Sequence, residues 1–222
     1  MSRRRRQIFY EPDKGNHGLP HDPFKGLVVP RPIGWVSTVD DNGVPNLAPY
    51  SFFNAVCTDP PCVMFGSASR PNELTADKNA LKDSHRNAEV TGGFVVNMAT
   101  FAQRDALNET SASLAPGVNE FDVAGLTSLP SRLVRAPRVV GAYAHFECIY
   151  LQTSEMPSTR TDRRNFVVFG RVVGVHIDES ILKDGLVDIG RAAPLARLGY
   201  MDYAVVRESF RMDRPATYRP PA

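Results

Sequence analysis

Residues 31–57 read RPIGWVSTVDDNGVPNLAPYSFFNAVC. Ile33 to Val39 is rich in β-branched residues, and Asp40-Asp41-Asn42-Gly43 carries the Asn-Gly signal of a tight turn, so the stretch is expected to form an antiparallel hairpin. Its return strand, Val44 to Cys57, contains Pro45 and Pro49. Proline cannot donate to a ladder, which places this strand at a sheet edge or on a bulge and leaves backbone groups free for a ligand. On an alternating strand Ile33, Trp35 and Ser37 share one face, which favours burial of the single tryptophan in the core over stacking on a ligand. The small residues that follow, Asn46, Ala48, Ser51 and Asn54, suit one wall of a flat slot.

Beyond this hairpin, Thr58-Asp59-Pro60-Pro61 turns the chain into Cys62–Gly66, an apolar run suited to a strand buried on both faces. Residues 70–91 break the strand pattern and read as helical turns, with Asn72 or Asp83/Ser84 as N-caps and Gly92-Gly93 as the stop. Phe94–Met98 resumes strand. Thr100-Phe101-Ala102-Gln103 has the form of a capping box and opens a second helix to about Leu114, before Pro116-Gly117. Two long β-rich segments, Arg138 to Gln152 and Asn165 to Ile177, are separated by the polar stretch TSEMPSTRTDRRN. This order does not alternate βαβ; it predicts a mainly β fold with inserted helices, an antiparallel barrel of Greek-key type. One domain is expected over 21–212, after a basic tail and covering arm at 1–20 and before a proline-rich tail at 213–222.

Bulk composition narrows the function. The chain has 222 residues, 42% hydrophobic and 23% charged, ordinary for a globular protein. Four of its 26 basic residues are Arg3 to Arg6, leaving 22 basic against 24 acidic residues in the body, which gives no case for nucleic-acid binding. The arginine cluster reads as a solvated terminus or as a phosphate or partner contact. No run of about 18 apolar residues suggests a membrane span, and no apolar segment follows the arginines as a secretory signal would require. Three cysteines, Cys57, Cys62 and Cys148, with no C-x-x-C pair, argue against a disulfide framework and a zinc site and fit a reducing cytoplasm; Cys57 and Cys62 read as buried small apolar residues. His17 and His21 are four apart, but Gly18 and Pro20 oppose the helix that would join them on one metal.

Neither G-x-S-x-G, H-E-x-x-H, a P-loop nor G-x-G-x-x-G occurs, so the usual hydrolase, zinc-protease, ATPase and Rossmann readings lose support. What remains is an anion-binding constellation. Ser67 and Ser69 end a strand, Arg70 follows, and Lys82-Asp83-Ser84 stands at a helix start. Hydroxyls, a guanidinium, an ammonium and unsatisfied helix N–H groups would together hold a phosphate. Spacing alone leaves open the plainer reading, in which Lys82 and Asp83 are a solvated pair and Ser84 is a cap.

A resemblance adds to this. RPIGWVSTVDDNGVPNLAPYSFFNAVCTDPPCVMF, then KDS followed by FVVN, then NEFDVAGLTSLPSRLVRAPRVVGAYAHFECIY and FVVFGRVVGVHID, together covering about residues 25–205, resemble the flavin reductase-like family of FMN-binding split-barrel proteins. The resemblance implies a six-stranded antiparallel split barrel that forms a homodimer with FMN near its interface. It implies that Ser37 and Thr38 lie beside the flavin, that Asn46, Ala48, Pro49, Ser51 and Asn54 line the ring, and that Ser67, Arg70, Lys82, Asp83 and Ser84 form the phosphate site. The family usually has Lys-Asp-Thr where this chain has Lys82-Asp83-Ser84; serine keeps the hydroxyl.

The implied function is an oxidoreductase in which NAD(P)H reduces FMN, held tightly or exchangeably, and electrons pass to a small-molecule or protein acceptor that the sequence does not identify. The flavin carries the chemistry, so no catalytic triad and no metal are needed. Two alternatives are an electron-transfer flavoprotein reduced by a protein donor and a non-redox FMN-binding protein. His145 and His176 could donate protons to reduced flavin or be ordinary polar strand positions, and His85 could add positive charge beside the phosphate.

Overall fold

The hairpin forms where the turn signal places it. Strands β1 (Gly34–Val39) and β2 (Pro45–Tyr50) pair antiparallel around Asp40–Val44, with the Asp40 carboxylate accepting from the Asn42 and Val44 N–H groups and Gly43 at a positive φ of 88°. The computed structural model describes residues 7–70, 74, 75, 77 and 80–213; the Arg3 to Arg6 cluster, Asn72 and residues 214–222 lie outside the described residues.

Five further strands complete the sheet: β3 (Phe53–Thr58), β4 (Pro61–Ala68), β5 (Gly93–Met98), β6 (Ala144–Met156) and β7 (Asn165–Ile177). Their order is β2-β1-β5-β6-β7-β4-β3, and every neighbouring pair is antiparallel. The two edge strands, β2 and β3, are consecutive in the chain and joined only by Ser51 and Phe52. Two residues cannot span an open seven-stranded sheet, whose strands lie about 4.8 Å apart, so the sheet must curl until its edges meet. The seam is tight: the Gly66 N–H donates to the Phe52 carbonyl at 2.6 Å, and a Cβ on Gly66 would stand 2.9 Å from that of Phe52. This is a mainly β split barrel, as expected. It has seven strands instead of six because the return strand breaks at Ser51-Phe52 to cross the seam.

Inside, Val36, Tyr50, Val63, Phe65, Phe94, Val96, Cys148 and Val168 form a cluster drawn from six strands, closed by Ala88 of helix α1 (Asp83–Thr91). The opposite face of β1 and β2 buries Trp35 and Leu47 beneath Leu107 of α2 (Arg104–Glu109) and Phe121 of α3 (Glu120–Val123). Trp35 is therefore core, and its indole N–H donates to Thr110 Oγ1 at 2.9 Å. Its strand is buried along its whole length.

Several boundaries differ from expectation. The helix that opens near Thr100 ends at Glu109, short of Leu114, because Thr110 turns its hydroxyl back to Leu107 O while accepting from Trp35. No capping box forms there: the Gln103 amide donates to Val140 O. The segment expected to run as one strand from Arg138 starts its long strand at Ala144; Arg138–Val139 pairs instead with Ser128–Leu129. The N-cap of α1 is Lys82. The region around GRAAPLARLGY forms a small hairpin, Leu195–Arg197 with Tyr203–Val205, that pairs with Arg31–Pro32.

Candidate functional site

The prolines of β2 decide which way its free edge points. The Leu47 N–H donates to Glu120 Oε2 at 3.0 Å, so it faces away from β1, and strand alternation turns Pro45 and Pro49 to the same side. Prolines at outward positions leave no N–H groups there to template another strand. The expectation that this irregular edge presents amides to a ligand is thus corrected: of residues 45, 47 and 49, only Leu47 has an N–H, and Glu120 takes it.

Beside this edge lies a cavity of about 810 Å³. Asn46, Ala48, Pro49 and Ser51 form one wall, Gly66 and Ser67 of β4 another, and Arg70 with Lys82, Asp83 and Ser84 its polar end. Nine of the twelve residues singled out from the sequence thus meet in one cavity. Ser37, Thr38 and Asn54 do not line it. Ser37 shares the Trp35 face and donates to Pro137 O. Thr38 is buried one layer behind, bonded to Asn46 Oδ1 at 3.3 Å and to the Asn87 amide at 3.3 Å. Asn54 lies past the seam on exposed β3, accepting from the N–H of Ala55.

The polar end is strongly organised. Arg70, 7% exposed, is held by Leu81 O at 3.0 Å and ion-paired with Asp83, so Asp83 offsets a cation and is no direct anion ligand. Lys82 has no carboxylate within ion-pairing distance among the described residues. Burial first, then the charges of Arg163 and Arg70, hold its ammonium below the ordinary lysine pKa. The α1 N-terminus adds its partial positive charge at the same place. Ser84 opens this helix but does not cap it; its hydroxyl donates to Asn46 Oδ1 at 2.7 Å.

Three residues without an earlier assignment join the site. Glu120 accepts from the Asn46 amide with both oxygens, 2.8 Å each, and burial raises its pKa; the EFDVAGL segment marked its place without a role. Tyr50 is buried, so its pKa rises, with the Ser84 and Ser67 hydroxyls nearby partly offsetting the rise. Arg163 reaches the cavity from the polar loop between β6 and β7. A buried partner to Asn46 and a loop cation leave no local sequence pattern.

The histidines fall elsewhere. His145 and His176 line a separate cavity with Glu147 and Arg138, and neither lines the first cavity of the same chain. His176 Nε2 lies 2.5 Å from Glu147 Oε1, and His145 Nδ1 lies 2.9 Å from Asn97 Oδ1. His85 packs on Phe166 with Nε2 toward Thr153 and Glu89 at 3.0 and 3.2 Å. Burial lowers its pKa, so it adds no charge beside Lys82. His17 Nδ1 accepts from the Leu19 N–H, and His21 packs against Tyr200. Cys62 is buried as expected, and so is Cys148, whereas Cys57, expected to be buried, is exposed. No helix among the described residues is long and apolar enough to cross a membrane.

Comparison with known proteins places this geometry. A relative from Aquifex aeolicus, an uncharacterized protein, is 39% identical over 178 residues, 78% of this chain and 83% of its own length. The crystal structure of nitrilotriacetate monooxygenase component B from Bacillus cereus superposes with a TM-score of 0.83 at 29% identity, covering 94% of this chain and all of that one. An FMN-binding protein from Thermus thermophilus shares the fold, with a TM-score of 0.64 at 20% identity over 96% of this chain and 100% of its own. The sequence model of the flavin reductase like domain matches residues 26–196. With that match over most of its length, the chain belongs to the flavin reductase-like family.

Proposed function

We propose that the protein binds FMN in the cavity beside β2 and acts as an oxidoreductase that takes electrons from NAD(P)H. The observation that carries this reading is Lys82: a half-buried ammonium without a carboxylate partner among the described residues, flanked by Arg70, Arg163 and a helix N-terminus. Such a surplus of positive potential fits a phosphate ester. The walls fit the rest of the molecule, since Ala48, Pro49, Ser51 and Gly66 put no long side chain into the slot.

In this reading Lys82, Ser67 and the first N–H groups of α1 hold the phosphate. Arg70 is locked by Asp83 and Leu81 O and supplies charge from a fixed position. Tyr50 lines the slot close to the Ser67 and Ser84 hydroxyls. Glu120, through Asn46, fixes the β2 wall. Bound flavin supplies the redox chemistry, accepting two electrons from the nicotinamide and releasing them to an acceptor.

A homodimer is part of the same proposal. Phe24, at the cavity mouth, and its neighbour Leu27 are exposed, as are Tyr200 and Met201. Arg31 ties these two segments side by side through Lys25 O, Val28 O and Leu198 O. A contiguous apolar patch of this kind suits a subunit interface. Sedimentation of Met201→Asp as a monomer, with wild type a dimer, supports the patch as the interface. For the activity, the FMN-loaded protein is mixed anaerobically with NADH or NADPH: loss of the yellow absorbance with either is expected, and persistence with both contradicts the nicotinamide-dependent reading.

A further inference from the structure

The hairpin of β3 and β4 carries two cysteines, and the ladder sets them opposite one another: Cys57 is the register partner of Cys62, across the turn Thr58-Asp59-Pro60-Pro61. Both are free thiols, Cys57 exposed and Cys62 buried. Directly opposed residues of an antiparallel pair have Cα atoms about 4.5–5.5 Å apart, inside the span of about 4.4–6.8 Å that disulfides occupy. Their proximity also shows in the electrostatics: after burial, the neighbouring Cys57 thiol is the next cause raising the Cys62 pKa. A register irregularity between Ala55 and Cys57 marks a bulge that allows the strand to adjust.

The surroundings divide the roles. Cys57 reaches solvent, and its Sγ lies 3.1 Å from Pro60 O. Cys62 is shielded from oxidants in bulk water, and burial raises its pKa, with Arg171, its register partner on β7, only partly offsetting the rise. Cys148 sits in the barrel interior with its pKa raised by burial, which leaves it inert.

The geometry points to Cys57 and Cys62 as a reversible redox pair, in which exposed Cys57 is oxidised by a peroxide and Cys62 resolves it to an intrachain disulfide. The Cys57 thiolate attacks a peroxide oxygen, breaking the O–O bond and forming a sulfenic acid and hydroxide; the thiol proton leaves with that hydroxide as water. Cys62 sulfur then attacks Cys57 sulfur, the S–S bond forms, and the sulfenic oxygen departs as a second water with the Cys62 proton. The two thiols lose two electrons and hydrogen peroxide gains them. A small dithiol reverses the step by exchange. This inference is independent of the flavin reading.

The test treats the reduced full-length protein with hydrogen peroxide, blocks remaining thiols by alkylation in denaturant and maps the peptides by mass. The expected result is loss of two of the three thiols, with Cys57 and Cys62 joined in one chain, Cys148 alkylated, and both thiols recovered by dithiothreitol. Cys62→Ser is expected to leave Cys57 as a sulfenic acid trapped by dimedone, and Cys57→Ser to leave Cys62 unoxidised. Three intact thiols in the wild type, a Cys57 disulfide between two chains, or over-oxidised Cys57 beside a free Cys62 would overturn the assignment.

Discussion

The Asn46 amide donates to both carboxylate oxygens of Glu120 at 2.8 Å, while its carbonyl accepts from Ser84 at 2.7 Å. One buried side chain thereby ties the edge strand β2 to the starts of α1 and α3. Glu120→Ala would strand the Asn46 amide and the Leu47 N–H, a loss of about 1–3 kcal/mol in unfolding free energy, measured by urea denaturation. Because Ser84 and the cavity wall lose their anchor, FMN affinity should fall as well.

Trp35→Phe separates a core role from ring stacking. It removes the bond to Thr110 and part of the volume beneath α2 and α3, costing about 1–3 kcal/mol by circular-dichroism-monitored denaturation. FMN affinity of the folded variant should equal that of wild type, since Trp35 does not line the cavity.

Gly66→Ala probes the seam. The added Cβ meets Phe52 at 2.9 Å, and relief requires opening the 2.6 Å contact from Gly66 N to Phe52 O. Overpacking of this kind costs about 1–3 kcal/mol. A melting curve is expected to show the loss, together with weaker flavin binding.

Stability should fall with acid in two phases set by the second cavity. Burial, then Arg138 and His176, lowers the His145 pKa from 6.5 to about 4; between these values the unfolded chain binds a proton that the folded one refuses, so stability drops as pH falls through that window. Glu147, despite burial, is held at about 2 against an ordinary 4.5 by the Arg132 N–H, His176 and the Leu133 N–H. Its contribution is present above pH 4.5 and is lost as pH falls toward 2. Urea titrations across pH should show both phases, and Glu147→Gln should abolish the lower one.

The hairpin, the barrel class and the polar end of the cavity were legible because each rests on local chemistry: Asn42-Gly43 makes the turn, Pro45 and Pro49 mark the edge, and Lys82 to Ser84 start a helix. The seam at Ser51-Phe52 was not, since barrel closure depends on which strands become edges, a property of the whole sheet. Nor were Ser37 and Thr38 distinguishable from cavity residues. They adjoin the site in sequence, and only the facing of β1, with Pro137 and Asn87 waiting behind it, turns them away. Glu120 is 74 residues from Asn46, and no periodicity reports such a pairing.

The central claim is that a phosphate seat built around Lys82 anchors a flavin beside β2. Fluorescence titration of the apoprotein with FMN and with riboflavin, which lacks the phosphate, tests it most directly, for wild type and for Lys82→Ala. The account predicts that wild type binds FMN far more tightly than riboflavin, and that the substitution weakens FMN at least tenfold while leaving riboflavin unchanged. Equal affinity of wild type for the two ligands, or an undiminished FMN affinity in folded Lys82→Ala, would contradict it.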